Sequence, residues 1–188
     1  MIIPDIVIAV DGYSSTGKST FARMISRKFG FQYLDSGALY RGVTLFAQEN
    51  GFIGADNVVS DELSGALKSY DLHFGQEMKT YSGSRCIEKE IRTMEVSSQV
   101  SPVAAVPFVR EYVDRRLHAF AAAGRVVMDG RDIGTSVFPD AGLKIFMTAR
   151  PEVRAKRRYE EMLATGGKAD MADVLANLLQ RDYIDSHR

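Results

Sequence analysis

The segment Gly12-Tyr13-Ser14-Ser15-Thr16-Gly17-Lys18-Ser19-Thr20 sets two glycines five positions apart, a lysine directly after the second and hydroxyl residues after that. Each type has a use if the segment encloses phosphate. The glycines let backbone N–H groups turn inward, Lys18 reaches the terminal phosphates as a point charge, and Ser19 offers its hydroxyl to Mg²⁺. The four fixed positions of this pattern arise by chance in about one chain in a hundred of this length. A turn that merely joined a strand to a helix would have no use for a lysine and a hydroxyl at this offset. Gly12–Thr20 therefore reads as a phosphate-binding loop.

Four further clusters carry polar chemistry. In Leu34-Asp35-Ser36-Gly37-Ala38-Leu39-Tyr40-Arg41, Ser36 lies near a helix start and Arg41 about a turn beyond it, an arrangement suited to an anion. An ordinary helix cap is the plainer reading of Ser36 alone. Met128-Asp129-Gly130-Arg131-Asp132-Ile133-Gly134-Thr135 puts Asp129 where a carboxylate can orient Mg²⁺ through water. Arg131 beside Asp132 points the same way. Arg150, Arg154, Arg157 and Arg158 are spaced to share one side of a helix, as a solvated face or as a mobile cationic flap before Gly166-Gly167. Arg181, Asp185 and Arg188 share another helical face, where exposed ion pairs are the alternative.

The elements that must position these groups alternate. Ile6–Val10 is an apolar run that reads as a buried strand. Lys18–Phe29 reads as a helix with Phe21, Ile25 and Phe29 on one face and Gly30 ending it. Phe31–Leu34 is the second strand and Leu39–Asn50 the next helix. From Gly51 to Ser101 the character changes to a polar helix near Asp61–Lys68 and short strand-like pieces at Asp71–Phe74, Glu77–Tyr81 and Arg85–Glu88. This predicts a small insertion with an antiparallel sheet. A long helical pattern runs from Val103 to Ala123, interrupted by Pro107, and its aromatic stripe reads as core. Val126–Met128 and Leu143–Thr148 are apolar enough to be strands covered on both faces. Pro151 suits the first turn of a helix ending by Gly166-Gly167, and Asp170 with Asp173 resembles a capping box before a last helix. The pattern predicts an α/β fold, a P-loop NTPase-type doubly wound parallel sheet, with a phosphate site at the strand ends.

Composition sets the limits. The 188 residues suit one domain, 1–188, with a sizeable core. With 24 Lys plus Arg against 24 Asp plus Glu, no overall charge favours nucleic acid or an acidic membrane surface. Cys86 stands alone and His73, His118 and His187 lie far apart, so neither a disulfide nor a histidine metal site is expected. No apolar run approaches a membrane span and no leader is recognised, which leads us to expect a cytoplasmic setting.

Gly12–Thr20, Leu34–Arg41, Glu90-Ile91-Arg92-Thr93, Asp129–Thr135, Arg154-Ala155-Lys156-Arg157-Arg158 and Arg181-Asp182, in that order, resemble the bacterial cytidylate kinases, a family of P-loop nucleoside monophosphate kinases. The resemblance covers essentially the whole chain. It implies an inserted nucleotide-binding subdomain at 39–108, a short helical lid at 150–170, and phosphoryl transfer from ATP, with Mg²⁺, to CMP or dCMP by a monomer. It implies that Ser36, Arg41 and Arg131 address the acceptor's phosphate, that Ser101, Arg110 and Asp132 address cytosine, and that Arg181 and Asp185 hold the ribose, with Arg188 nearby. It also implies a cationic ring of Lys18, Arg131, Arg157 and Arg158 around the transferred group. The family continues past the position matching Arg188 into a final strand and helix, and such a tail is expected here because a sheet without its last strand would expose an apolar edge.

A phosphate acceptor whose second pKa is about 6 is already a nucleophile at neutral pH, which fits a site without histidine. A kinase for UMP, AMP or shikimate is the nearest alternative. A GTPase-like switch is the more distant one, against which stands the lack of an [NT]-K-x-D pattern for guanine.

Overall fold

Val7–Gly12 forms β1 and lies between two parallel partners, β6 (Val126–Gly130) on one side and β7 (Leu143–Met147) on the other. The register pairs Val10 with Asp129 and Gly12 with Met147, so the polar ends of β1 and β6 emerge together. The computed structural model describes residues 4–54, 56–122, 124–164 and 169–186. These fall into two units, Met1–Gln32 with Arg125–Arg188, and Tyr33–Gly124.

In the first unit the strands bury Ala9, Val10, Val126, Val127 and Met128 completely, as a parallel strand between two others requires. α1 (Lys18–Phe29) packs on β1 and β6 through Ala22 and ends at Gly30, whose positive φ lets its N–H return to the Ser26 carbonyl. α6 (Pro151–Ala164) and α7 (Met171–Ser186) pack on each other around Ala155, Val174 and Leu178. Pro151 opens α6 as the sequence suggests, and the Asp170 carboxylate accepts from the N–H groups of Ala172 and Asp173 at the start of α7. The expectation that Leu143–Thr148 is covered on both faces fails: Phe146 is 62 % exposed, and among the described residues β7 is the sheet's edge. An apolar run does not by itself distinguish a central strand from an edge strand.

β2 (Gln32–Asp35) crosses into the second unit. There α2 (Ser36–Glu49), α3 (Glu62–Ala66), α4 (Met94–Ala105) and α5 (Pro107–Ala121) accompany an antiparallel sheet of β3 (Leu72–Phe74), β4 (Thr80–Ser82) and β5 (Arg85–Cys86). The strand expected at Glu77–Tyr81 is displaced because Glu77 and Met78 adopt positive φ and form a tight turn, leaving Thr80 as the first strand residue. The helical pattern expected over Val103–Ala123 is interrupted at Pro107 as expected, the break falling at Val106, whose extended backbone is what a following proline favours. The aromatic stripe does pack as core. The rings of Phe46, Tyr70 and Tyr112 stack in succession, Arg116 lies over Tyr112 at 3.6 Å, and the Tyr112 hydroxyl donates to the Tyr70 carbonyl. Burial pushes the Tyr112 phenol well above its ordinary value, so it stays a donor at any physiological pH.

Helix α2 begins one turn earlier than the sequence suggests because Asp35, not Ser36, caps it: Asp35 Oδ1 accepts from the Ala38 N–H at 3.1 Å. Its other oxygen accepts from Arg41 at 2.8 Å and from Arg92 at 3.3 Å. Burial alone would raise this carboxyl, but the guanidinium charges of Arg41 and Arg92 more than offset it and hold it below its ordinary value of 3.8. A depressed carboxyl stabilises the fold fully above 3.8 and loses that contribution as pH falls below it, through the folded group's own lower value. Asp35→Asn keeps the cap and removes the charge. Urea unfolding at neutral pH should show the variant less stable by about 1–2 kcal/mol, with the difference shrinking as pH drops below that of an ordinary carboxyl. A difference that is constant with pH would refute the ion pair's contribution.

Candidate active site

The loop that links β1 to α1 owes its first glycine to packing as well as to curvature. Gly12 has φ +143°, and a Cβ on it would stand 2.0 Å from the Met147 carbonyl oxygen of β7. Gly17, at φ +93°, precedes α1, which starts without a side-chain cap. The first N–H groups of such a helix are donors that suit phosphate oxygens. Lys18 is only 6 % exposed, and its Nζ donates to the Tyr13 carbonyl at 2.6 Å, where the Thr16 hydroxyl also donates at 2.9 Å. Both interactions hold that carbonyl in place.

At the end of β6, Ser19 Oγ donates to Asp129 Oδ2 at 2.7 Å. A hydroxyl and a carboxylate side by side form the hard oxygen pair that suits Mg²⁺, an ion that keeps several waters and takes few protein ligands. Among the described residues there is no cluster of three or more His, Cys, Asp or Glu that could hold a metal by itself. A Mg²⁺ here would draw its remaining ligands from water and phosphate.

Arg131 follows directly and spends all three nitrogens near the loop. Nε donates to Asp185 Oδ2 at 2.7 Å, Nη1 to the Gly12 carbonyl at 3.1 Å and Nη2 to Ser14 Oγ at 2.7 Å. Asp132 opens a single π turn, Ile133–Val137, with its carbonyl accepting from Ser136. That turn is held by Asp11, a residue the sequence reading gave no role. The two Asp11 oxygens accept from the N–H groups of Ile133 at 2.8 Å and Gly134 at 2.7 Å. Burial pushes the Asp11 carboxyl above its ordinary value, and the two N–H donors oppose that rise. The one signal for it in the sequence is an aspartate closing an otherwise apolar strand.

The arginines of α6 differ in burial. Arg154 is 2 % exposed and turns inward to Asp182 of α7, whereas Arg157 and Arg158 remain near the surface. Arg157 donates to the Thr16 carbonyl at 3.4 Å and Arg158 to Glu161 at 3.4 Å. Arg154 and Arg157 therefore both reach loop carbonyls, as their spacing suggests, but Arg154 is buried because Asp182 supplies a counter-charge that helical spacing within α6 does not reveal. Arg181 and Asp185 lie on α7 as expected, while Arg188, like Gly166 and Gly167, lies outside the described residues.

The second unit carries its own set. Ser36 is buried at the first position of α2, beside Arg41 and Arg92, which converge on Asp35. Arg92 also pairs with Glu88, which burial would raise but which that guanidinium and Thr80 hold below its ordinary value. Arg92 stood within a motif of the resemblance but carried no role there, and its convergence with Arg41 on one carboxylate is visible only in the fold. Ser101 is buried on α4 and Arg110 is half-buried on α5.

Comparison with known proteins adds an independent finding. The profile of the family described as cytidylate kinase matches residues 8–188. Curated proteins named cytidylate kinase from Bacteroides thetaiotaomicron and Parabacteroides distasonis are each 47 % identical over 188 residues, covering 97 % of this chain and 82 % of theirs. One from Flavobacterium johnsoniae is 46 % identical with the same coverage. A match that spans the loop, both units and the last helix leaves one conclusion: the chain belongs to the cytidylate kinase family.

Proposed function

We propose that the chain carries out the reaction of its family, transfer of the γ-phosphoryl group of ATP to CMP or dCMP, giving ADP and CDP or dCDP. The observation that carries this reading is the set of Lys18, the Ser19–Asp129 pair and Arg131 gathered at the carboxyl ends of β1 and β6, where open α/β sheets take their ligands. The acceptor phosphate is a dianion at neutral pH and attacks without a general base. What opposes the reaction is repulsion between two polyanions. Lys18 exchanges the Tyr13 carbonyl for the donor's terminal phosphates, and Arg131 exchanges part of its Asp185 contact for the transferring group. Ser19 and, through water, Asp129 would hold Mg²⁺, whose charge further offsets that repulsion when it is bound. Arg157 and Arg158, on the 150–170 lid, add charge on the donor side and help exclude water.

The acceptor's base and sugar are assigned on the family resemblance. Residues 39–108 form the acceptor-nucleotide subdomain. Ser36, just before it, and Arg41 address phosphate, while Ser101 and, just after it, Arg110 donate to cytosine's ring acceptors. Asp132 accepts from the exocyclic N4 amino group, and Arg181 and Asp185 address the ribose. The enzyme works as a monomer in the cytoplasm. Among the described residues, no helix is long and apolar enough to cross a membrane.

Uracil reverses the polarity at position 4 and would set a carbonyl against Asp132. One contact of this kind discriminates by about 1–3 kcal/mol, so kcat/KM should favour CMP over UMP by about ten- to a hundredfold. Kinetics with CMP, dCMP, UMP and AMP test this directly. Asp132→Ala should lower CMP efficiency and narrow the gap, while Asp185→Ala should weaken both pyrimidines without narrowing it. A ratio unchanged in Asp132→Ala, or a parent enzyme that accepts UMP or AMP as well as CMP, would overturn the cytosine assignment.

A further inference from the structure

Among the described residues Arg154 is the largest side chain that is almost wholly buried, and its environment explains how a charge is kept there. A guanidinium removed from water is costly unless a counter-ion and hydrogen-bond acceptors replace the solvent. Asp182 supplies the first through a two-pronged contact, from Nη1 to Oδ1 at 3.2 Å and from Nη2 to Oδ2 at 2.6 Å. Nε donates to the Ala149 carbonyl at 3.0 Å, just before α6. The remaining reach goes to the phosphate loop: Nη1 lies 3.4 Å from the Ser14 carbonyl oxygen, and the guanidinium carbon sits 5.2 Å from the centre of the Tyr13 ring. Phe146 of β7 meets the same ring edge-on, with centroids 5.8 Å apart.

Direction matters more than distance in such a loop. In a trans peptide the C=O and the following N–H point opposite ways. A cation drawing the Ser14 carbonyl outward therefore turns the Ser15 N–H inward. The neighbouring Tyr13 carbonyl is fixed as well, by Lys18 and Thr16. Ser15 holds a positive φ of 57° without being glycine, so this corner is strained and needs support from outside the loop. At 2 % exposure Arg154 is shielded from a ligand, unlike Arg157 and Arg158 on the same helix.

We propose that Arg154, neutralised by Asp182, is a positioning residue that clamps the Tyr13–Ser14 corner and so aims the Ser15 N–H at the donor nucleotide's phosphates. This rests on the reading of Gly12–Thr20 as the donor loop. The guanidinium fork is required, since a lysine ammonium cannot contact Asp182, Ala149 and Ser14 together.

The test compares the full chain with Arg154→Lys and Asp182→Asn, with Lys156→Ala on the exposed side of α6 as control. ADP and inorganic pyrophosphate binding are measured by calorimetry, and KM for ATP and CMP by kinetics, on samples whose folded fraction is fixed by circular dichroism and urea unfolding. Both clamp variants should bind ADP and pyrophosphate about tenfold more weakly and raise KM for ATP, while KM for CMP shifts less than about twofold. Should Arg154→Lys not fold, Asp182→Asn decides, because it leaves the arginine in place and removes only its counter-charge. Unchanged ADP affinity in a folded clamp variant overturns the proposal, as does a parallel loss for ATP and CMP that tracks the folded fraction. ADP binding by the parent that is not accompanied by transfer to CMP would instead refute the proposed reaction while leaving the clamp testable.

Discussion

Lys18, Arg131 and Arg154 gather around one loop with little exposure to solvent, and meeting their charges from within the chain is the constraint on which the rest of the structure depends. At a separation of about 4 Å two like charges in a partly buried setting oppose each other by about 4 kcal/mol. The sequence answers with internal acceptors. Lys18 rests on the Tyr13 carbonyl, Arg131 on Asp185, Arg154 on Asp182, and Arg41 with Arg92 on Asp35. The Arg131–Asp185 and Arg41–Asp35 pairs leave part of each arginine side chain exposed. The Arg154 pair is buried and serves as scaffold.

The same division explains the backbone. β1 must bring Gly12 against Met147 closely enough that no side chain fits, and Asp11 must tie the end of that strand to the turn after Asp132. The Gly12–Thr20 loop, the Ser19–Asp129 pair and the turn after Asp132 thereby depend on one strand. Arg131, bonded to both Gly12 and Ser14, makes that dependence direct.

Much of this was legible in the sequence because local rules govern it. The loop, the strands β1 and β6, the starts of α6 and α7 and the antiparallel insertion follow from spacing, proline and glycine placement, and apolar periodicity. What was not legible depends on partners distant in sequence. The burial of Arg154 is decided by Asp182, 28 positions away. The cap of α2 went to Asp35 rather than Ser36, and the same carboxylate is also held by Arg92, 57 positions away. The break at Val106, by contrast, was legible, since Pro107 restricts the residue before it. The exposure of β7 depends on what lies beside it, which its own residues do not state.

The most direct test of the loop's role is acceptor-dependent ADP formation by the parent chain and by Lys18→Ala, with folding verified by circular dichroism. ADP should appear only when CMP or dCMP is present, and turnover should fall about a hundredfold or more in Lys18→Ala, the loss expected when a preorganised cation leaves the transferring group. ADP formed at the same rate without an acceptor, or near-parent turnover in folded Lys18→Ala, would contradict it.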